Sequence, residues 1–146
     1  MFLKKTYLNS AGGGKSLNLT HDVKRVLADS RMVHGHVNII STQATAGVSL
    51  MENDLNLQQE FINSIKSQYD ESNADSPARR SRTGADCYHH MAGLVGLSLV
   101  LPFENGQLVS SPFHDIVALD FEPVSGRREF IISVLGVAPQ ENQQGQ

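Results

Sequence analysis

Two stretches decide the fold: QATAGVSLMEN, from Gln43 to Asn53, and HHMAGLVGLSLVLPFENGQLV, from His89 to Val109. In both, strand-forming apolar residues carry polar groups that a plain core would not need. In the second, Leu97, Leu99, Leu101 and Phe103 alternate and so share one face of a strand. Glu104-Asn105-Gly106 follows, and Asn-Gly is the strongest short hairpin signal, because both residues tolerate positive φ. Leu108 then starts a partner strand. Around the first stretch, Val37 to Thr42 before it and Gly47 to Met51 within it read as strands around a tight corner.

Working outward, Met1 to Asn9 reads as a strand, Gly12-Gly13-Gly14 as a hairpin turn and Ser16 to Leu19 as a short return strand. Asp22 to Ser30 is helical, with Val23, Val26 and Leu27 at spacings of three and four and Thr20 available as a cap. Leu57, Phe61, Ile65 and Tyr69 recur every four residues, with Ile62 beside them. They predict an apolar stripe on a helix from about Asp54 to Tyr69. Asp70 to Thr83 is a polar loop with Pro77 and the basic run Arg79, Arg80, Arg82, long enough to be either mobile or functional. In His114 to Glu122, Val117, Leu119 and Phe121 face one way and Ile116 and Ala118 the other. Ser125-Gly126 turns the chain into a last strand, Glu129 to Val137. The expectation is one α+β domain over 1–138, with mostly antiparallel sheets, two main helices and a disordered tail over 139–146. Both faces of the late strands are apolar, which predicts a subunit interface.

Composition narrows the class. A chain of 146 residues, 40% hydrophobic and 18% charged, is of globular, single-domain type. A net charge of -3 argues against a nucleic-acid partner, which calls for a basic surface. The longest apolar run, Leu94 to Phe103, is broken by Gly96 and Ser98 and falls short of the ~20 residues that span a membrane. No apolar run follows the two lysines near the N-terminus, so no signal peptide is expected. A single cysteine, Cys87, excludes an internal disulfide and fits a reducing cytoplasm.

Several residues invite a chemical reading, and each has a plainer one. Gly12-Gly13-Gly14-Lys15-Ser16 suggests a phosphate loop, but the required glycine five residues before the Gly-Lys pair is Asn9, and a strand follows rather than a helix. His34 and His36 share a strand face, as half a metal site or as the exposed side of an edge strand. His89-His90 follows Asp86 and Cys87 with no second spaced pair, so a helix-end histidine competes with a ligand. Glu52 ends an apolar strand, where a charge must be exposed or paired.

These residues resemble the YjbQ-like family, some members of which are named secondary thiamine-phosphate synthases. The family segment HTTAGITINEN reads here as Gln43 to Asn53, with Thr45, Ala46, Gly47, Glu52 and Asn53 matching. A family histidine seven residues before a strand-opening glycine is His89 before Gly96, and a Gly-Arg-Arg turn is kept as Gly126-Arg127-Arg128. The departures are Gln43 for the family histidine, Met51 for its first asparagine, Met91 for a lysine or arginine, and Phe113 and His114 for a tryptophan and glutamine.

The resemblance implies a trimeric α+β protein with a polar cluster near a subunit interface. Glu52, His89 and His114 would be its acid–base groups, with His89 and His114 as ligands if it holds a divalent metal. Gln43, Thr45, Asn53, Arg127 and Arg128 would bind the ligand, the arginines taking an anion such as phosphate. The implied reaction joins a pyrimidine diphosphate to a thiazole phosphate. The alternatives are a non-catalytic trimer binding a metal or anion, and a structural module with a decayed site. The opposite changes at Gln43 and His114 read either as an imidazole and an amide exchanged across one site or as independent drift at two positions.

Overall fold

A computed structural model describes residues 1–69 and 86–140. The expected loop Asp70 to Thr83 lies outside the described residues, as do residues 141–146 of the expected tail. The elements in chain order are β1 (Phe2–Ser10), β2 (Lys15–Asn18), α1 (Thr20–Ser30), β3 (His34–Ser41), β4 (Ala46–Glu52), α2 (Leu55–Ser67), α3 (Asp86–Val95), β5 (Ser98–Glu104), β6 (Gln107–Leu108), β7 (His114–Asp120) and β8 (Gly126–Val137). A five-stranded sheet has the order β1-β8-β3-β5-β6 and a three-stranded sheet the order β2-β7-β4. All the pairings are antiparallel.

The α+β reading holds, with three helices among the described residues rather than two. The third, α3, buries Met91 and Ala92 and half-buries Tyr88 and Val95, a spacing of three and four on one helix face. In the sequence this signal is blurred by Gly93 and by Leu94, Val95 and Leu97, whose apolar character leads on into β5. Two expected connections also differ. The glycine turn does not make a hairpin: β1 pairs with β8 in the large sheet and β2 with β7 in the small one, so Gly12–Gly14 carries the chain between sheets. The histidines of β3 lie on a central strand, not an edge, and its exposed face explains them.

Two cores flank strand β7. Ile116 and Ala118 join Val37, Ile39, Phe130 and Ile132 in the core between the sheets, which α1 closes with Val23, Val26 and Leu27. Val117, Leu119 and Phe121 face the other way, into a core with Ile62 and Ile65 of α2 and Met91 and Ala92 of α3. The alternation read from the sequence is the one observed. Both faces of β7 are covered within one chain, so its two-sided apolar character does not itself require a partner. The uncovered apolar surface is on the large sheet. There Leu3, Ser133, Asn38 and Val100 form one outward row across β1, β8, β3 and β5. Leu3 and Val100 are exposed, as are Ile40 and Leu135 on the same face.

Capping and buried polar contacts set the registers. Asp54 caps α2 by accepting from the backbone N–H groups of Asn56 and Leu57. Thr20 does not cap α1. Its hydroxyl donates to Asp115 at 3.2 Å and accepts from the backbone N–H of Ile116 at 2.9 Å, tying α1 to β7, while Asn18 accepts from the N–H of Thr20. At the far end of β7, Asp120 is fully buried; it accepts from Arg128 Nε at 3.0 Å and from the Ser10 hydroxyl. This ion pair joins the two sheets. The type I′ turn expected at Asn105-Gly106 is present, with φ of 53° and 76°.

Gly47 is a packing requirement. A Cβ there would sit 2.7 Å from Val95, because the end of α3 passes directly over β4. Gly47→Ala should therefore cost about 1–3 kcal/mol by overpacking. Arg128→Met should cost more, about 3–5 kcal/mol, because it strands the buried Asp120 charge. Urea unfolding of both variants checks the order; an Arg128→Met protein as stable as the wild type would refute the role given to the pair.

Candidate functional site

Glu52 ends β4 and His114 begins β7, and the two are direct register partners. Residues opposite each other on paired strands share a face, with Cβ atoms about 4.5–5.5 Å apart. Both lie on the side that Leu50 and Ile116 turn toward the inter-sheet core. The backbone N–H of Asn53 donates to the Phe113 carbonyl at 2.9 Å, which fixes the loop before β7 against the end of β4. The amide of Gln58 donates to the Glu52 carbonyl at 2.8 Å. Glu52 is thus held at its backbone from two elements while its side chain stays exposed.

These residues line an open groove of about 910 Å³ with Asn53, Asp54, Ser111, Phe113 and Leu55. Its rim is apolar and exposed: Leu55 is 75% accessible and Phe113 70%. Leu57 and Phe61, expected to face the core, are exposed too. The buried face of α2 is instead Gln58, Ile62 and Ile65, continued by Tyr69 just past its end, and is rotated from the expected stripe. The Asp54 cap and the buried Gln58 amide set that rotation. Among the described residues, no lysine or arginine lines the groove. Its polar content is two carboxylates, of which Asp54 is engaged in capping, together with two asparagines, a serine and a histidine.

The other expected site residues lie elsewhere in the subunit. Gln43 and Thr45 precede β4, seven residues long, at the end away from Glu52. At ~3.3 Å per residue that is roughly 20 Å distant. Thr45 is buried, and its carbonyl accepts from Phe121. Gln43 and His114 therefore sit at opposite ends of the β4–β7 ladder and share no partner among the described residues. An exchange between them could operate only across subunits. Arg128 is buried on Asp120 and so belongs to the scaffold. Arg127 is exposed on the large sheet, its guanidinium 4.3 Å over the Tyr7 ring.

His89 is exposed on α3 and lines neither the groove nor the cavity beside it. Helix α3 packs on the opposite face of the small sheet from the one Glu52 and His114 share. The set Glu52, His89 and His114 is therefore not assembled in one subunit, where only Glu52 and His114 meet. Among the described residues, no group of three or more His, Cys, Asp or Glu side chains could hold a metal ion. Met91, where the family has a basic residue, is 4% exposed in the core with Val117 and Phe121.

Sequence reading overlooked Ser111, Leu55 and Asp54 in the groove. Only Asp54 left a signal, as the acidic residue one position before an amphipathic helix. The buried Nδ1 of His114 has no hydrogen-bond partner among the described residues. No helix among them is long and apolar enough to cross a membrane.

Comparison with known proteins accords with this architecture. A YbjQ-like protein of unknown function from Sulfolobus solfataricus P2 superposes with a TM-score of 0.80 at 21% identity, covering 92% of this chain and 96% of that one. A hypothetical protein from Aeropyrum pernix K1 gives 0.78 at 19% identity, covering 93% and 99%. An uncharacterised conserved protein of the YjbQ/UPF0047 family from Clostridium acetobutylicum gives 0.76 at 18% identity, covering 90% and 99%. No curated protein matches the sequence. The sequence over residues 4–137 matches the family described as UPF0047 protein YjbQ-like, and the chain belongs to that family.

Proposed function

We propose that the Glu52–His114 groove is the working site, that it acts on a small phosphorylated molecule, and that a second subunit of a homotrimer completes it. The observation that carries this reading is the direct pairing of Glu52 with His114 in an open groove whose rim, Leu55 and Phe113, is apolar and exposed. A carboxylate beside an imidazole is suited to moving a proton at a substrate atom. Exposed apolar residues around a polar depression are what a protein partner covers.

Charge supports the composite site. Among the described residues the groove is lined by carboxylates and by no lysine or arginine, a set that repels a phosphate. The exposed Arg127 and His89, on other parts of the subunit surface, are candidate cations from a neighbouring subunit. In a trimer, these residues of one subunit would face the Glu52 end of the next. The narrower family reading, condensation of a pyrimidine diphosphate with a thiazole phosphate, uses the same parts. Arginine would hold the diphosphate, while Glu52 and His114 would manage protons.

A second reading, a trimer that binds an anion without turnover, is favoured by Met91. The family's basic residue has been replaced there by one buried in the core, which removes a cation.

Sedimentation equilibrium at micromolar concentration should give three times the 16.0 kDa subunit mass. Phe113→Asp should shift the population toward monomer, and a wild-type mass near 16.0 kDa would end the interface account. For the site, calorimetry with inorganic pyrophosphate should show binding that Arg127→Gln weakens about ten- to hundred-fold, the cost of a charge-assisted contact. Glu52→Gln should preserve that binding but lower turnover of the two phosphorylated substrates by about 100-fold or more. Equal pyrophosphate affinity in wild type and Arg127→Gln would contradict the composite site. Binding without any turnover would select the second reading.

A further inference from the structure

Behind the His114 ring lies a second cavity, of about 460 Å³, enclosed by α1, the β5–β6 hairpin and the loop into β7. His114 and Ser111 form the wall between it and the groove. Its floor is apolar: Leu27, Leu50, Leu108 and Ile116. Its volume falls within the range of small-molecule sites, which are mostly apolar with a few placed polar groups. Among the described residues, the two charged side chains that line it, Lys24 and Asp115, are of opposite sign. Lys24 comes from α1, one turn beyond Thr20, and Asp115 from β7. Among the described residues, neither makes an ion pair, with the other or with any third group. Among the described residues, Asp115 accepts the Thr20 hydroxyl on one carboxylate oxygen and has no donor on the other.

A cavity of mixed lining, with an apolar floor and with one cation and one anion that do not satisfy each other, is complementary to a molecule that brings the opposite pair. A lone anion such as phosphate would gain Lys24 but meet the Asp115 carboxylate. A lone amine would meet the reverse conflict. A zwitterion with an apolar body satisfies both charges and fills the floor. We propose that this cavity is a second ligand site and takes an α-amino acid with a large apolar side chain. The carboxylate would lie on Lys24, with the Ser110 and Ser111 hydroxyls in reach of it. The ammonium would lie on Asp115, and the side chain over Leu27, Leu50 and Ile116. Because the His114 ring forms one wall, occupancy here would brace the residue that faces Glu52.

Thermal-shift and calorimetric titrations with L-phenylalanine, 3-phenylpropanoate, phenethylamine and inorganic phosphate test this on the full-length protein. L-Phenylalanine should raise the melting temperature in a concentration-dependent way. The two analogues lacking one charge should bind about ten-fold or more weakly. Lys24→Met, a change at an exposed position with no effect expected on folding, should weaken L-phenylalanine by a similar factor. It should leave pyrophosphate binding at the groove unchanged. Asp115→Asn should weaken the amino acid as well, while Glu52→Gln should not. The proposal is overturned if L-phenylalanine does not bind, or if 3-phenylpropanoate binds as tightly. It is also overturned if inorganic phosphate binds in the cavity and Asp115→Asn strengthens it, the behaviour of a plain anion site.

Discussion

Strand β7 is buried on both faces, and the rest of the molecule is arranged around that constraint. Its five central and C-terminal residues, Ile116 to Asp120, are all inaccessible. A strand in that position must be apolar on both sides, and its few polar atoms must be paired internally. The chain meets the second requirement at both ends of the strand. At one end Asp120 is neutralised by Arg128 and Ser10 of the large sheet. At the other, Asp115 and the Ile116 amide are engaged by Thr20 of α1. The two sheets and α1 are thereby fixed to one strand, and the residue just outside the buried segment, His114, is presented at a defined place.

That arrangement explains why the polar residues of the family motif separate into different roles. Gly47 is small because α3 crosses β4 there, while Ala46 and Thr45 are buried at the start of the ladder. Arg128 serves the scaffold. What remains free for chemistry sits at two places: Glu52, Asn53 and His114 at one end of the β4–β7 ladder, and Arg127 with Gln43 toward the other. A motif that is contiguous in sequence spans roughly 20 Å in an extended strand, so its two ends cannot address one small ligand inside a single subunit. Symmetric assembly offers a way to bring them together, since a head-to-tail ring contact joins two different surfaces of the same chain.

Much of the fold was legible in the sequence. The alternation of β7, the Asn105-Gly106 turn and the antiparallel α+β pattern all follow from local rules, and the family resemblance fitted them. The failures have specific causes. Helix α3 was hidden because its apolar residues run into those of β5, and two glycines blur the period. The face of α2 was misjudged because Leu57 and Phe61 look like core, whereas a polar residue, Gln58, is buried by a hydrogen bond that no periodicity encodes. The site was half legible: Glu52 and His114 were identified as chemical groups. Nothing local could show that they pair directly, or that His89 stands on the other side of the small sheet. Those facts depend on register and layer order, which arise from contacts distant in sequence.

The central claim is that the Glu52–His114 groove becomes a site only when another subunit closes over it. A crystal structure of the assembled protein grown with inorganic pyrophosphate tests this most directly. The expected result is an anion in the groove, with the Arg127 or His89 side chain of a neighbouring subunit within direct or one-water reach of it, about 3 to 6 Å. A groove that opens to bulk solvent in the assembly, with Leu55 and Phe113 uncovered and no residue of another subunit nearby, would contradict the account.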